Sequence, residues 1–484
     1  MKEKQASIKL NMFLNMIKTL TTVLFPLVTF PYASRTLGAD GVGAVSYTEN
    51  IISYFSLFSA LGIVAYGTRE AAKVREDAKK LQQLATELLV INLCTCLLVY
   101  IALGIFVQIP DFKNYIALLL VQSLIIICNA LGVEWLFVAT ENYLYITVRS
   151  LIFQVIALVA LFLFVKTPQD YLVYALINIF ATVGSGLMNF VYACKTGSFR
   201  RHEKLQLARH LKPILIIFST NLASTIYLNL DVVMLGYMMN DTMVGYYTVA
   251  VRISRAVSTM MGCISTVILP RVTYYLSKGD QKHFYDLIYK ALNLILIIII
   301  PAAFGIISIS QPFVILFSGE SFEPAYTALN ILAISLIFSS LNRVFVWQVL
   351  VPYGREKEVT LSTTVGALVN FVLNLYFIPK FGFNGAAFTT LLSEFVVAVI
   401  CHLQCRQILS YRTVYKLIWQ YLLAALVIPV NYYCFLNLPF PSIVNMILQV
   451  VFSVFFYFMV LLLLRNPYIT EEIQSVFHKI KSRK

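Results

Sequence analysis

The sequence predicts an all-α integral membrane protein with about 14 transmembrane helices. Apolar stretches of about 20 residues recur along the whole 484-residue chain, which is the length that crosses a hydrocarbon layer about 30 Å thick. Charged residues make up 12% of the chain, roughly half of their usual share in soluble domains. No polar stretch is long enough to form a separate soluble domain.

The apolar stretches fall into two sets of six and a final pair. Their approximate bounds, from span 1 to span 14, are 8–33, 43–66, 84–107, 115–138, 145–166, 171–194, 212–238, 243–270, 285–310, 325–351, 359–379, 384–405, 415–437 and 442–464. We therefore expect an N-terminal six-helix bundle over 1–194, a cytoplasmic linker over 195–211, a C-terminal six-helix bundle over 212–410, and an extra helix pair with a basic cytoplasmic tail over 411–484.

Basic residues concentrate on one side of the predicted spans. Clusters lie at the N-terminus, in the loops near residues 75 and 200, and in the C-terminal tail, and Arg149 belongs to the same side. The opposite side holds Arg35, Lys113, Lys166 and Lys380. This asymmetry predicts that both termini are cytoplasmic and that the number of spans is even. The net charge of +14 is thus a topology signal, and no nucleic-acid partner is expected.

A weak internal repeat relates the two sets of six. Val42–Ile51 opens span 2 and Val244–Ile253 opens span 8, and each follows a Leu-Gly pair. The offset of about 202 residues spans six helices, so both copies insert with the same orientation. The repeat predicts two pseudo-symmetric bundles around an axis along the membrane normal, with a cavity between them.

The sequence contains no pattern that indicates an enzyme or a metal site. The eight cysteines lie in or at the ends of apolar runs without a Cys-x-x-Cys pair, and we interpret them as small apolar residues. There is no Asp-x-Asp nucleotide-sugar motif and no nucleophile constellation. A membrane polysaccharide polymerase or ligase would carry a large external loop, whereas the longest one here, around 311–325, is short and has no Lys, Arg or His.

Three motifs together resemble a known family. Pro26–Gly38, Glu134–Glu141 and Phe377–Ala387 are similar, in order and spacing, to segments of bacterial oligosaccharide-lipid flippases of the MATE-like exporter superfamily. The resemblance implies two six-helix bundles working by alternating access in the bacterial cytoplasmic membrane. It also implies translocation of polyprenyl-diphosphate-linked oligosaccharide repeat units for O-antigen, capsule or exopolysaccharide. Its implied partners are membrane lipids, a polysaccharide polymerase and glycosyltransferases.

Charges inside the predicted spans are the candidate functional residues, because each costs about 2.5–3.5 kcal/mol to insert. Thr248, Arg252 and Arg255 share one face of span 8 with Thr259. Guanidinium groups make bidentate contacts with phosphate oxygens, and neighbouring hydroxyls and amides could accommodate sugars. The predicted substrate-binding residues are Arg252, Arg255, Lys18, Asn15, Thr248 and Arg343.

The same charges could instead pair with one another and only fix helix packing. On that alternative, Arg252 or Arg255 pairs with Asp231 or Glu49, and Arg343 pairs with Glu394. Glu49 and Asp231 are also candidates for binding a coupling ion, either H⁺ or Na⁺. No other cofactor is expected.

Three functions are alternatives to a flippase for oligosaccharide repeat units. A lipid II-type peptidoglycan precursor flippase also has fourteen helices and a basic cavity, so it stays open. A MATE-type drug exporter expels organic cations, which arginines at mid-membrane would repel, and usually stops at twelve spans. A polysaccharide polymerase lacks support for the reasons given above.

Overall fold

The computed structural model describes residues 8–200, 203–409, 412–435 and 442–470. Every regular element in these ranges is helical. The α-helices in chain order are α1 Ile8–Ala60, α2 Ile63–Val74, α3 Ala78–Phe106, α4 Ile116–Leu131, α5 Glu134–Ala139, α6 Tyr143–Phe164, α7 Tyr171–Lys195, α8 Ala208–Met238, α9 Asp241–Ser277, α10 Gln281–Ser318, α11 Ala325–Val344, α12 Glu356–Cys405, α13 Arg412–Ala425, α14 Val427–Phe435 and α15 Ser442–Leu463. The prediction of an all-α membrane protein is confirmed.

Twelve segments of the described chain are long and apolar enough to cross a membrane. Two of them contain α1 and α12, which are 53 and 50 residues long, about twice the length that one crossing needs. Each of these helices bends at one glycine with a positive φ, Gly38 at 71° and Gly382 at 57°. Both α1 and α12 are long enough for two crossings, so the twelve segments are close to the predicted fourteen spans, and the exact number stays a prediction.

The first compact unit comprises residues 1–245. Within it α1 packs against α3, α4, α6 and α8, and α7 packs against α4 and α6. Its buried cluster on the side of α2 and α5 includes Ile63, Leu88, Trp135 and Ile146. Helix α8 therefore packs with the N-terminal helices, although the predicted second bundle begins at residue 212. The predicted domain bounds themselves stay a prediction.

The second compact unit comprises residues 246–484. Helix α10 is its centre and packs against α11, α13, α14 and α15, while α11 also packs along α12. The predicted final pair corresponds to α13 with α14, separated by Leu426, and to α15. Part of the predicted basic tail, residues 471–484, lies outside the described residues.

The two copies of the repeat meet at equivalent glycines within the first unit. A Cβ atom on Gly43 would lie 1.7 Å from the carbonyl oxygen of Asp241, and one on Gly245 would lie 2.2 Å from that of Ala39. The contact is reciprocal, because Gly43 and Gly245 are offset by the same number of residues as Ala39 and Asp241. Such reciprocity is the mark of a twofold relation between two surfaces, and it supports the repeat found in the sequence.

We predict that Gly43→Ala lowers the unfolding temperature of the purified protein. The added methyl group meets a backbone carbonyl that no side-chain rotation can move, and overpacking of this kind costs about 1–3 kcal/mol. The readout is thermal unfolding in detergent with a thiol-reactive dye, which reports exposure of the buried thiols of Cys96 and Cys128.

Gly104→Ala is the matched control, since no described atom lies within 4 Å of a Cβ added at this position in α3. Alanine favours a helix over glycine, so this control should not be destabilised. Equal unfolding temperatures for the two variants would contradict the close approach at Gly43.

Candidate functional site

One face of α9 carries the polar residues that the sequence singled out. Thr248 is buried, and its hydroxyl oxygen has no hydrogen-bond partner among the described residues. Arg252 is half-buried and Arg255 is exposed. One turn further on, the Thr259 hydroxyl donates to the carbonyl oxygen of Arg255 at 2.8 Å. The helix therefore runs from a buried hydroxyl to an exposed guanidinium along a single strip.

Arg343 of α11 joins this strip from the neighbouring helix. Its Nη2 donates to the Ser258 hydroxyl at 3.0 Å, and Gly262 leaves room for its Nη1, which would lie 3.2 Å from a Cβ at that position. Ser258 and Gly262 follow Arg255 by three and seven residues, so they share its helix face. Arg343 Nε is buried without a hydrogen-bond partner among the described residues. The second unit thus brings the guanidinium of Arg343 onto the helix face that carries Arg252 and Arg255.

The backbone at Arg343 has an unusual local geometry. Helix α11 ends at Val344 and continues as one turn of π-helix over Phe345–Leu350. π-Helical turns are rare and occur often at functional sites. The neighbouring Asn342 donates its side-chain amide to Glu394 at 2.7 Å. The alternative prediction pairs Arg343 with Glu394. In the structure Arg343 donates to the Ser258 hydroxyl, and Glu394 accepts from the Asn342 amide.

In the first unit, Lys18 belongs to a cluster of three charges. Lys18 Nζ donates to one carboxylate oxygen of Glu134, and Arg149 Nη2 lies 3.4 Å from the other. The Arg149 side chain is 4% exposed, while that of Glu134 is 41% exposed. Nε and Nη1 of Arg149 have no hydrogen-bond partner among the described residues. Asn15, about one turn before Lys18, has an exposed side chain.

Glu49 faces a polar cavity of about 250 Å³ within the first unit. Besides apolar side chains, the cavity is lined by the hydroxyls and amides of Ser53, Ser56, Gln122, Asn178 and Thr182. A carboxylate that shares a cavity with hydroxyls and amides is a candidate for binding a proton or a monovalent cation. No group of three or more His, Cys, Asp or Glu that could hold a metal occurs among the described residues.

Asp231, the second predicted coupling residue, is buried in α8. Two residues before it, the Asn229 side-chain amide donates to the Ser53 hydroxyl at 3.2 Å. Ser53 lies one turn after Glu49 and lines the same cavity. The structure therefore brings the helix that carries Asp231 to the side of α1 that carries Glu49.

A further set of charges, around the buried Glu87, ties the first turn of α8 and the residue Gln206 before it to α3. The Glu87 carboxylate is 0% exposed and accepts from Arg209 Nη2 at 2.6 Å, the Gln206 backbone N–H at 2.9 Å and the Gln83 amide at 2.9 Å. His210 Nε2 lies 2.8 Å from the same carboxylate, and its Nδ1 lies 2.7 Å from the Tyr66 hydroxyl. Donors of the protein reach both oxygens of the buried carboxylate, as expected of a structural counter-charge.

Sequence reasoning missed Glu134 and Arg149 as site residues. It used Glu134 within a motif and counted Arg149 toward topology, whereas the structure pairs the two side chains. The available signal was their position inside the predicted spans 115–138 and 145–166, where any ionisable residue is a candidate. Their partner Lys18 is 116 residues from Glu134, a separation that no local pattern connects.

An apolar cavity of about 420 Å³ lies in the second unit. It is bounded by α10 on one side and by α14 and α15 on the other, with Pro301, Gly305, Val450 and Phe458 among its lining residues. Its few polar groups include Gln449 and Ser453, and the Asn431 amide donates to the Gln449 carbonyl at 3.1 Å and to the Ser453 hydroxyl at 2.9 Å. Hydrocarbon is the chemistry that such a lining accepts.

Comparisons with known proteins agree with this architecture. The family model described as polysaccharide biosynthesis protein matches residues 8–276, and the model described as MatE matches residues 216–376. A putative O-antigen transporter of Escherichia coli (strain K12) is 24% identical over 77% of this chain and 91% of its own length. A probable low-salt glycan biosynthesis flippase of Haloferax volcanii is 27% identical over 50% of each chain.

Among solved structures, the lipid II flippase MurJ in an inward closed conformation is similar to this chain with a TM-score of 0.72. The alignment covers 95% of this chain and 100% of that one, at 17% sequence identity. At this identity the likeness concerns the fold.

We predict that Glu87→Gln destabilises the protein. The substitution exchanges one oxygen of the fully buried Glu87 carboxylate for an amide group and removes its charge, and a buried hydrogen-bonding group left unsatisfied costs about 1–3 kcal/mol. Thermal unfolding of the purified protein measures the effect. Glu76→Gln, at an exposed position near the end of α2, is the control and should unfold like the wild type. A Glu87→Gln protein as stable as this control would show that the network is not structural.

Proposed function

The chain belongs to the polysaccharide biosynthesis protein family, and we propose that it is a flippase for polyprenyl-diphosphate-linked oligosaccharide repeat units. It moves them across the bacterial cytoplasmic membrane by alternating access, for the synthesis of O-antigen, capsule or another surface polysaccharide. The observation that carries the proposal is the strip of Arg252, Arg255 and Arg343 in the second unit. Guanidinium forks hold phosphate oxygens in pairs, and their charge repels organic cations.

The lipid part of the substrate has its own support. A polyprenyl chain needs an apolar surface beside the site that holds its headgroup, and the cavity between α10, α14 and α15 has that lining. Val257 of α9 also borders this cavity, two residues from Arg255. Residues two apart point to different faces of a helix, so α9 presents the cationic strip on one face and borders the apolar cavity on another.

The energy source and the partners are part of the same proposal. Glu49 in its polar cavity and the buried Asp231 are the candidates for binding H⁺ or Na⁺, whose gradient would drive the conformational cycle. Glycosyltransferases would supply the substrate on the cytoplasmic side, and a polymerase would receive it on the other. No metal and no further cofactor has a role in this scheme.

A lipid II-type precursor carries the same polyprenyl diphosphate, so the cationic strip accepts either substrate. The curated relatives favour the oligosaccharide, since they are named for O-antigen and for low-salt glycan biosynthesis. The fold shared with the lipid II flippase does not decide between headgroups. The names of these relatives describe transporters and flippases, which favours transport over polymerisation.

We predict that Arg252→Ala and Arg255→Ala each abolish surface polysaccharide in cells that depend on this protein, because the diphosphate loses a bidentate partner. Arg252→Lys should retain part of the activity, since it keeps the charge and loses the fork. Surface polysaccharide is quantified by immunoblot alongside the amount of protein in the membrane. Arg271→Ala, an exposed arginine further along α9, is the matched control. Wild-type export by both alanine variants would refute the cationic site.

We also predict the sidedness of the chain from its basic residues. In a variant without the exposed thiols of Cys94, Cys194, Cys263 and Cys434, Lys113→Cys should react with a membrane-impermeant maleimide in intact cells. Lys278→Cys should react only after the membrane is permeabilised, because its loop is cytoplasmic on the positive-inside rule. The reverse labelling pattern would show that the chain has the opposite orientation in the membrane.

A further inference from the structure

We propose that Lys18, Glu134 and Arg149 form an exchangeable anion site, in which a lipid-linked phosphate group replaces Glu134 as the partner of both cations. The inference rests on the proposed function, because it assumes a phosphate-bearing lipid as substrate. It adds Glu134 and Arg149 to the predicted substrate-binding residue Lys18 within the first unit, and it makes Glu134 a competitor of the phosphate group.

The first argument is the balance of charge and donors. Two cations share one carboxylate, so the cluster keeps a net positive charge. Arg149 is 4% exposed, yet its Nε and Nη1 have no partner among the described residues and its Nη2 reaches Glu134 only at 3.4 Å. Buried donors without an acceptor cost free energy. A phosphate group has more acceptor oxygens than the carboxylate and could satisfy donors that Glu134 leaves open.

The second argument is that Arg149 is held in place by contacts other than the one to Glu134. The Arg149 guanidinium lies 5.4 Å from the centre of the Tyr145 ring, in a cation–π contact. Tyr145 stacks on Tyr192 at 4.6 Å and donates its hydroxyl to the carbonyl of Met188 at 3.0 Å. The Thr147 hydroxyl donates to the carbonyl of Leu14 at 3.2 Å, which joins α6 to the helix that carries Lys18. The Arg149 guanidinium therefore stays in place when the carboxylate leaves, and the helix that carries Lys18 stays beside α6.

The third argument is that the carboxylate is the accessible member of the cluster. The Glu134 side chain is 41% exposed, against 23% for Lys18 and 4% for Arg149. The Glu87 network is the contrasting case, because its carboxylate is fully buried and surrounded by donors of the protein. A carboxylate that serves only as a structural counter-charge is expected to be buried and hydrogen-bonded on both oxygens, as Glu87 is. Glu134 has the exposure of a group that can be displaced.

Exchange solves a problem that any anion carrier in a membrane faces. Without substrate, uncompensated cations in a span would be costly, and Glu134 neutralises one of them. When a phosphate arrives, the carboxylate turns toward its exposed side and the cations gain a better acceptor. Because Glu134 competes with the ligand, its removal should strengthen phosphate binding, whereas removal of either cation should weaken it.

The test is a binding titration of the purified full-length protein in detergent with geranylgeranyl diphosphate, read as the ligand-induced rise in unfolding temperature. We expect Glu134→Gln to bind about tenfold more tightly than the wild type and Arg149→Gln at least about tenfold more weakly. Glu141→Gln is the matched control, because Glu141 lies seven residues away and pairs with Arg75 at 2.5 Å outside the cluster. Its affinity should equal that of the wild type.

Two further ligands identify the source of the phosphate. Geranylgeraniol, which lacks phosphate, should bind every variant with equal affinity. Inorganic pyrophosphate should bind more weakly than geranylgeranyl diphosphate but with the same order among the variants. Pyrophosphate binding as tight as that of the lipid would overturn the assignment to a lipid-linked phosphate.

Unchanged or weaker binding of geranylgeranyl diphosphate by Glu134→Gln would overturn the exchange. Export of polysaccharide by the wild-type protein would in that case leave the proposed function intact. If Glu134→Gln does not fold, Lys18→Gln and Glu134→Asp decide the matter. Exchange is supported if Lys18→Gln binds geranylgeranyl diphosphate more weakly than the wild type and Glu134→Asp binds it more tightly, because the shorter carboxylate of aspartate holds the cations less well. Wild-type affinity in both variants overturns exchange. A wild type that neither binds geranylgeranyl diphosphate nor exports polysaccharide would instead remove the proposed function.

Discussion

An ionised side chain inside a hydrocarbon layer must meet a partner or a polar cavity, and this requirement organises the polar interior of the protein. Glu87 meets it with donors from α3, from the start of α8 and from Gln206 just before α8, so this charge links the two helices. Arg343 meets it with a hydroxyl of α9, and Glu49 with a polar cavity. Only closely packed helices can bring such partners together, which is why backbone contacts such as that at Gly43 matter to the site as well as to stability.

The degree to which each charge is satisfied separates structural groups from functional ones. Glu87 has donors of the protein on both carboxylate oxygens, and a ligand could add little to it. Arg149 and Arg343 each keep buried N–H groups without a partner among the described residues, and each is fixed in place by a neighbouring side chain. Rigid donors without acceptors, in both units, are what a transporter of a phosphate-bearing lipid would keep ready for its substrate.

Features that repeat along the chain could be predicted from the sequence, and features that join distant segments could not. Span length and hydropathy are local, so the helices from α3 to α15 lie close to their predicted bounds. The bends at Gly38 and Gly382 fall in the predicted gaps between spans 1 and 2 and between spans 11 and 12, although the helix continues through each of them. In the structure the two copies of the repeat contact each other at Gly43 and Gly245. The partnership of Lys18 with Glu134 depends on how α1 and α5 pack, and no spacing rule predicts it.

Translocation of a defined lipid by the protein alone tests the account most directly. Purified protein in sealed vesicles would receive a fluorescent disaccharide on a polyprenyl diphosphate, and a quencher that cannot cross the bilayer would report the outer-leaflet pool. The account predicts that quenching proceeds beyond that pool for the diphosphate-linked sugar and stops at it for the same sugar on a lipid without phosphate. Equal translocation of both lipids, or of neither, would contradict a carrier whose site is built around phosphate.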